Sequence, residues 1–426
     1  MNHEKPIIKN KEWIGRIPSD WDFVKIKEHF VERNTKVDDI SFPPLSVSMG
    51  GVVDQMENVS KSDDSENRKL VKKNDFVINS RSDRKGSSGI SPRDGSVSLI
   101  NIVLKPKNIN PKYSEYLFKS YYFKEEFFRN GKGIHFDLWS TRYELMKQII
   151  IPYPKIEEQN EIVEYLDNKT HQIEILTKKI EQKIELLKEQ RTSLINEVVT
   201  KGLNQNIEMK DSGVEWVGRI PIHWTKSRLD FLFRLYGRVG WKSLKSDEYV
   251  NEGYVFLSTP NIKNKDIDYE NVNYITEERY YESPEIMLEN GDVLLVKDGS
   301  TLGIVNIVED LPRPTTVNSS IGVLKRISDS IMSKFMYYHL STHYHQNIIN
   351  RIKGGMGVPH LFQSDIKKFI VLLPPIKEQQ EIVEYLDEHT QNIDKTISIE
   401  EKRIKLLKEY KQSLISEVVT GKKRVV

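Results

Sequence analysis

The chain is written twice, and that constrains its fold more than any other feature. Glu12-Trp13-Ile14-Gly15-Arg16-Ile17-Pro18, followed by Trp21, returns as Glu215-Trp216-Val217-Gly218-Arg219-Ile220-Pro221, followed by Trp224, at an offset of 203. Glu161 to Asp167 returns letter for letter as Glu381 to Asp387, and Ser193-Leu194-Ile195 with Glu197 to Thr200 returns at Ser413 to Thr420, now at an offset of 220. Over 157–200 and 377–420, 24 of 44 positions are identical without a gap. Between these borders the two copies diverge, and the second interior is 17 residues longer. A faint common skeleton survives there: Asn74 to Ile78 resembles Gly291 to Leu295, and Val103-Leu104-Lys105 resembles Val323-Leu324-Lys325. Shared frames therefore enclose variable contents of one fold.

The contents are mixed. Asp75 to Asn79, Val97 to Leu104, Gly253 to Leu257, Val293 to Val296 and Ile304 to Val308 are short β-rich runs bounded by turn residues, as strands are. Tyr113 to Phe128 and Lys334 to His345 repeat apolar residues at helical spacing. The fold class is α+β.

After Pro154 and Pro375, each copy runs free of Pro and Gly to Gly202 and Gly421, which predicts two long helices with marked ends. A heptad frame places Val163, Leu166, Thr170, Ile173, Thr177, Ile180, Ile184, Leu187, Arg191, Leu194 and Val198 at a and d of the first. In the second it places Val383, Leu386, Thr390, Ile393, Ile397, Glu400, Ile404, Leu407, Lys411, Leu414 and Val418 there. Eight of eleven are apolar in each, a narrow seam that favours pairing of the two helices over packing of each on its own domain. Such a rod spans about 54 Å for 36 residues, longer than the roughly 34 Å turn of B-DNA. Periodicity leaves open whether the pair is parallel or antiparallel, within one chain or between two.

Composition excludes more than it assigns. Zero cysteines rule out disulfides, thiolate metal sites and cysteine nucleophiles. Lys and Arg total 64 against 62 Asp and Glu, a net charge of +2, and 19–152 and 222–373 carry 22 basic against 19 acidic and 18 against 18 groups, so neither interior is basic overall. No apolar run reaches the roughly 18 residues of a membrane span and no cleavable leader is evident, so a soluble, cytoplasmic protein is expected. No Gly-rich cofactor loop and no Asn/Asp-Pro-Pro-aromatic tetrad of an adenine methyltransferase occurs. Gly237 to Ser243 imitates a phosphate loop, but Trp241 stands where glycine is needed before Lys242. Asp83-Arg84-Lys85, with Asp75 as a second ligand, has the carboxylate-x-lysine form of an Mg-dependent nuclease, but the spacing is short, no third acid is obvious and the second copy lacks it, so a solvated turn explains it better. His343 and His345 are spaced to face different sides of a helix, which suits core or surface roles better than a metal.

Ile17, Pro18 and Trp21 opening a variable domain, Pro154, Glu158, Gln159, Ile162 and Val163 closing it, and the second set Ile220, Pro221, Trp224, Pro374, Glu378, Gln379, Ile382 and Val383 together resemble the specificity (S) subunit of type I restriction-modification systems. The resemblance covers the whole chain. It implies two tandem target-recognition domains with pseudo-twofold symmetry, each reading one half of a split double-stranded DNA site, joined by an antiparallel coiled coil of the two conserved helices. The expected divisions are 1–153 and 214–373 for the recognition domains, 154–202 and 374–426 for the helices with the C-terminal tail, and a polar linker at 203–213. The resemblance further implies no catalysis and no cofactor in this chain, no membrane partner, methyltransferase subunits that use S-adenosylmethionine, and motor-nuclease subunits that use ATP and Mg. The competing readings are a self-contained Mg-dependent nuclease and a coiled-coil adaptor that never touches DNA.

For DNA contact, loop cations and base-reading side chains are the candidates: Arg81, Arg84, Lys85, Arg93 and Lys132 in the first interior, and Arg238, Trp241, Lys242, Lys245, Lys263, Lys297, Arg351 and Lys353 in the second. Taken singly, each reads first as a solvated charge. The expected seam of the coil is Val163, Leu166, Ile173, Ile180, Ile184, Leu187 and Leu194 with Val383, Leu386, Ile393, Ile397, Ile404, Leu407 and Leu414. Glu400 stands at a d position where the first helix has Ile180.

Overall fold

The computed structural model of the chain describes residues 13–55, 67–133, 139–215, 217–238, 244, 246–263, 266–353 (side chains to 351) and 360–425. It forms two compact units, Met1–Glu181 with Glu401–Val426, and Gln182–Glu400.

In the first unit, strands Phe30–Glu32, Asn101–Pro106, Phe76–Asn79 and Ser88–Ile90 form an antiparallel sheet in that order. The second unit repeats the order with Phe233–Tyr236, Ile321–Arg326, Val293–Val296 and Val305–Ile307. The run from Val97 to Leu104, expected as one strand, is two: Gly95–Ser98 and Asn101–Pro106 lie in different sheets. Each expected aromatic helix is also two. Ser120 accepts from the Phe123 amide as an N-cap and separates Pro111–Lys119 from Tyr121–Arg129, and Ser333–Leu340 is followed by His343–Lys353.

In each unit a final strand returns the variable region to its start. Ile150–Tyr153 pairs with Asp22–Lys25, and Ile370–Leu373 with Thr225–Arg228. The repeated motifs lock this closure with matching bonds. The Trp21 indole donates to Glu158 at 2.9 Å and the Trp224 indole to Glu378 at 3.1 Å. The buried amides of Gln159 and Gln379 donate to the carbonyls of Pro154 and Pro374, both at 2.8 Å, and accept the backbone N–H of Asn110 and Met332. Tyr116 donates to Asp167 at 2.5 Å and Tyr338 to Asp387 at 2.6 Å. Each group would be costly to bury unpaired, so the motif residues are fixed together.

The long helices run from Ile156 to Lys201 and from Ile376 to Val419. Gly202 and Gly421, at φ +75° and +72°, end them in the left-handed conformation that glycine adopts without a Cβ penalty. Within each unit the helix segments are antiparallel. Lys411 meets Glu174 at 2.6 Å in the first, while in the second Lys183 meets Glu400 at 2.6 Å and Arg191 meets Asp394 at 3.2 Å. Ile162 and Leu166 share the first unit's core with Leu414, Val418 and Val419, and Ile195, Val198 and Val199 share the second's with Ile382, Val383 and Leu386.

Within the expected linker, 203–213, strand Met209–Asp211 pairs with Arg219–Pro221.

Candidate nucleic-acid interface

In the first unit the chain leaves strand Phe76–Asn79 and bends sharply. The Ser80 carbonyl accepts from the Thr141 amide at 2.9 Å, Arg81 bridges Ser140, and Ser140 bridges Lys132 on its other side. Arg81 and Lys132, far apart in sequence, thus flank one residue. A single 3-10 turn, Ser82–Arg84, then leads to Lys85, which pairs with Glu125 at 2.7 Å and lies 4.6 Å over the Phe128 ring. Arg84 is exposed and only loosely met by Asp83, at 3.7 Å. The resulting crook encloses a narrow cleft lined by Arg81, Lys85, Lys124, Phe127, Phe128 and Trp139. Lys124 carried no sequence signal, because it sits inside a helix where a charge ordinarily marks a solvated face. Arg93 is not gathered with this group; it pairs with Asp54 on the hairpin of strands Leu45–Ser48 and Gly51–Asp54.

The second unit builds the same crook with other side chains. The Leu361 amide donates to the Lys297 carbonyl at 2.8 Å, and Asp298 bridges His360 where Arg81 bridges Ser140. His360 Nδ1 contacts the Asp298 carboxylate, and Lys297 Nζ lies 3.2 Å from it. Lys297 is 8% exposed and Arg238 4%, so neither is the loop cation the sequence suggested. Arg238 lies against the Phe256 ring, 3.8 Å from Glu282, and burial lowers its pKa, with Arg279 adding to the effect. Its charge is balanced inside the unit. Lys263 is exposed and bound to Asp268 at 2.8 Å; that lysine and the Asn271 and Glu270 amides hold the Asp268 carboxyl well below the usual range. Arg351 is exposed on helix His343–Lys353. Trp241, Lys242, Lys245 and the Lys353 side chain lie outside the described residues.

The nuclease reading fails on its own ligands. Asp75 is buried, held by Arg33 at 2.6 and 3.2 Å and by the Lys72 amide at 2.8 Å, while Asp83 is half exposed and Lys85 is bound to Glu125. Asp75 is a turn residue with a counterpart, since Asp292 accepts from the Glu289 amide and from Lys325, both at 2.9 Å. Asn74 and Gly291, both with positive φ, precede them in the same turn. Among the described residues no three His, Cys, Asp or Glu side chains are grouped to hold a metal. His343 is exposed and His345 buried, against His339.

Of the seam residues, Leu166, Ile173, Ile180, Ile184, Val383, Leu386 and Leu414 are buried, and Val163, Leu187, Leu194, Ile393, Ile397, Ile404 and Leu407 are half-buried. Glu400 is 5% exposed, with Lys183 drawn to it.

The family model for the type I restriction modification DNA specificity domain matches residues 18–186 and again 221–409. The chain belongs to this family. It is 24% identical over 435 residues to the type I restriction enzyme MjaVIII specificity subunit of Methanocaldococcus jannaschii, covering 97% of this chain and 96% of that one. It is also 24% identical over 280 residues to the EcoKI specificity subunit of Escherichia coli, covering 64% and 57%. Two solved structures share the fold. A chain from work on complex assembly and conformational transition of the type I R-M system has a TM-score of 0.70 at 15% identity, covering 95% of this chain and 98% of that one. The HsdS subunit from Thermoanaerobacter tengcongensis has a TM-score of 0.52 at 16% identity, covering 97% and 100%. Two specificity-domain matches in one chain, each ending within a long helix, fit the duplicated α+β architecture.

Proposed function

We propose that the chain is the DNA sequence-recognition subunit of a type I restriction-modification complex, that it does no chemistry itself, and that each unit reads one half of a bipartite double-stranded site. The observation that carries this is the pair of crooks. One backbone device, held in both copies by the same hydrogen bond, presents Arg81 and Ser140 in one unit and Asp298 and His360 in the other. Two instances of one fold with different hydrogen-bonding groups at the same place are what reading two different half-sites requires, since an arginine fork suits guanine and a carboxylate suits an amino group on a base edge. The domain divisions given above, with recognition at 1–153 and 214–373, belong to the same proposal.

The repeated motifs and long helices form the common frame on which methyltransferase subunits dock, and motor-nuclease subunits join that assembly. S-adenosylmethionine, ATP and Mg belong to those partners, and the complex directs adenine methylation or restriction in the cytoplasm. Among the described residues no helix is long and apolar enough to cross a membrane.

The test is co-expression with the cognate methyltransferase subunit, followed by modified-base sequencing. One bipartite motif is expected. Replacing 22–151 with another such domain should change one half of that motif and leave the other. Both halves changing together, or methyl transfer by this chain alone, would overturn the proposal.

A further inference from the structure

Lys124 is the residue the first crook leaves unresolved. Its side chain is half-buried, lies over the turn at Gly86 (Cδ is 3.1 Å from where a Cβ on that glycine would sit), and lines the cleft with Arg81 and Lys85. No described residue offers it a hydrogen bond or an ion pair, while Glu125 is taken by Lys85 and Glu126 by Arg129. Burial lowers its pKa, and the neighbouring charges of Lys85 and Lys119 add to that against the favourable charge of Glu125. An ammonium group held half-dehydrated beside other cations is an arrangement that an anion relieves.

The second repeat shows what the same position looks like when no anion is needed. Counting from the matched residues Ser120 and Thr342, which cap corresponding turns through bonds to Leu117 and His339, Lys124 corresponds to Gln346. Gly86 and Gly303 match in turn, both with positive φ, at 84° and 92°. Gln346 is neutral and satisfied: its amide donates to the carbonyls of Gly303 at 3.0 Å and Leu340 at 3.1 Å. The fold therefore closes without a cation here, and the lysine in the first unit is not demanded by packing.

We infer that the cleft of the first crook holds a backbone phosphate of bound DNA, with Lys124 as its inner contact and Lys85 at its mouth. This rests on the DNA-recognition reading above and deepens it. Size separates phosphate from base. The part of this partly open cleft that a water-sized group can enter is about 10 Å³, room for one such group and so for one non-bridging phosphate oxygen, and far too little for an extruded base. Asn79, Ser80 and Ser82 also line the cleft. A contact of this kind fixes the register of the first unit on the duplex and carries no sequence information itself.

The experiment is a salt titration of DNA binding by the full chain, using fluorescence anisotropy with several labelled duplexes of unrelated sequence, alone and with the methyltransferase subunit. Lys124→Gln installs the residue the second repeat already tolerates, so the fold should survive, with an unchanged melting temperature as the check. Affinity should fall by a similar factor on every duplex. The slope of log affinity against log salt should shrink by about one phosphate's worth, roughly 0.9. Lys124→Arg should restore most of the slope. An unchanged slope in Lys124→Gln would overturn the inference, as would a loss confined to particular sequences, which would make Lys124 a base reader. Excess inorganic phosphate should compete only weakly, because a free ion lacks the rest of the duplex; competition equal to that of DNA phosphate would make the cleft a free-anion site instead. If wild-type chain binds no duplex under either condition, the broader reading fails, and that outcome is distinct from an altered slope.

Discussion

At one buried place the two repeats use opposite chemistry. In the second unit the Leu372 amide donates to His339 Nε2 at 2.9 Å, and the His345 ring, 4.9 Å from that of His339, gives its Nδ1–H to the His339 carbonyl at 3.0 Å. In the first unit the matched residues are Leu117 for His339, Phe123 for His345 and Pro152 for Leu372, as the paired tyrosines, caps and strand registers fix. Proline has no N–H to satisfy, so an apolar leucine suffices where the other copy needs an acceptor. The difference teaches that the copies diverged in coupled sets: donor and acceptor went, or stayed, together.

The sharpest way to break this comparison is acid. Burial holds the His339 pKa well below its ordinary value, with His345 adding to it, and lowers that of His345 to about 4. Both histidines are neutral when folded and bind protons more readily when unfolded. Their contribution is therefore present above pH 6.5 and is lost as the pH falls from there towards 4. For His345 this amounts to roughly 3 kcal/mol. Converting the second unit to the first unit's solution, with His339→Leu, His345→Phe and Leu372→Pro together, should flatten the decline in melting temperature over that window. An undiminished decline would show that other groups cause it.

A smaller effect is expected at Glu400. This buried carboxylate with its lysine stands where the first helix has Ile180, and such pairs seldom outweigh a well-packed apolar residue. Glu400→Ile should raise stability by roughly 1 to 2 kcal/mol in denaturant titration; a loss would mean that the pair is worth more than its dehydration costs.

The smallest effect, a difference between two substitutions, tests sameness. Trp21→Phe and Trp224→Phe each remove one indole bond to a carboxylate from a buried site and should cost roughly 1.5 to 3 kcal/mol apiece, with a difference between them below about 1 kcal/mol. Values differing by much more than that would mean the two closures are not equivalent.

What the sequence disclosed follows from the range of the signal. The long helices were legible because eleven seam positions repeat one spacing, and strand Val293–Val296 because an unbroken apolar run is flanked by turn residues. The helix break at Ser120 was less legible, since its cap signal is a single residue inside an aromatic run. Burial of charged groups was not legible at all. Arg238 and Lys297 look like loop cations until Phe256, Glu282 and Asp298 are brought beside them from distant segments. Lys124 was missed for the converse reason, because its meaning lies in the acceptor that no described residue gives it.

The first unit is closed by residues 401–426. Val418 and Val419 complete its core, Arg424 reaches Asp20 at 2.8 Å, and a Cβ on Gly421 would strike Pro18. The second unit, by contrast, is one contiguous stretch. On the ribosome the order of manufacture and the order of completion are therefore reversed: the half made first must wait, with part of its apolar surface uncovered, until residues 401–426 have been made. A chain cut short just before Leu414 would lose nothing from the half nearest the cut in sequence, and would leave the amino-terminal half unfinished.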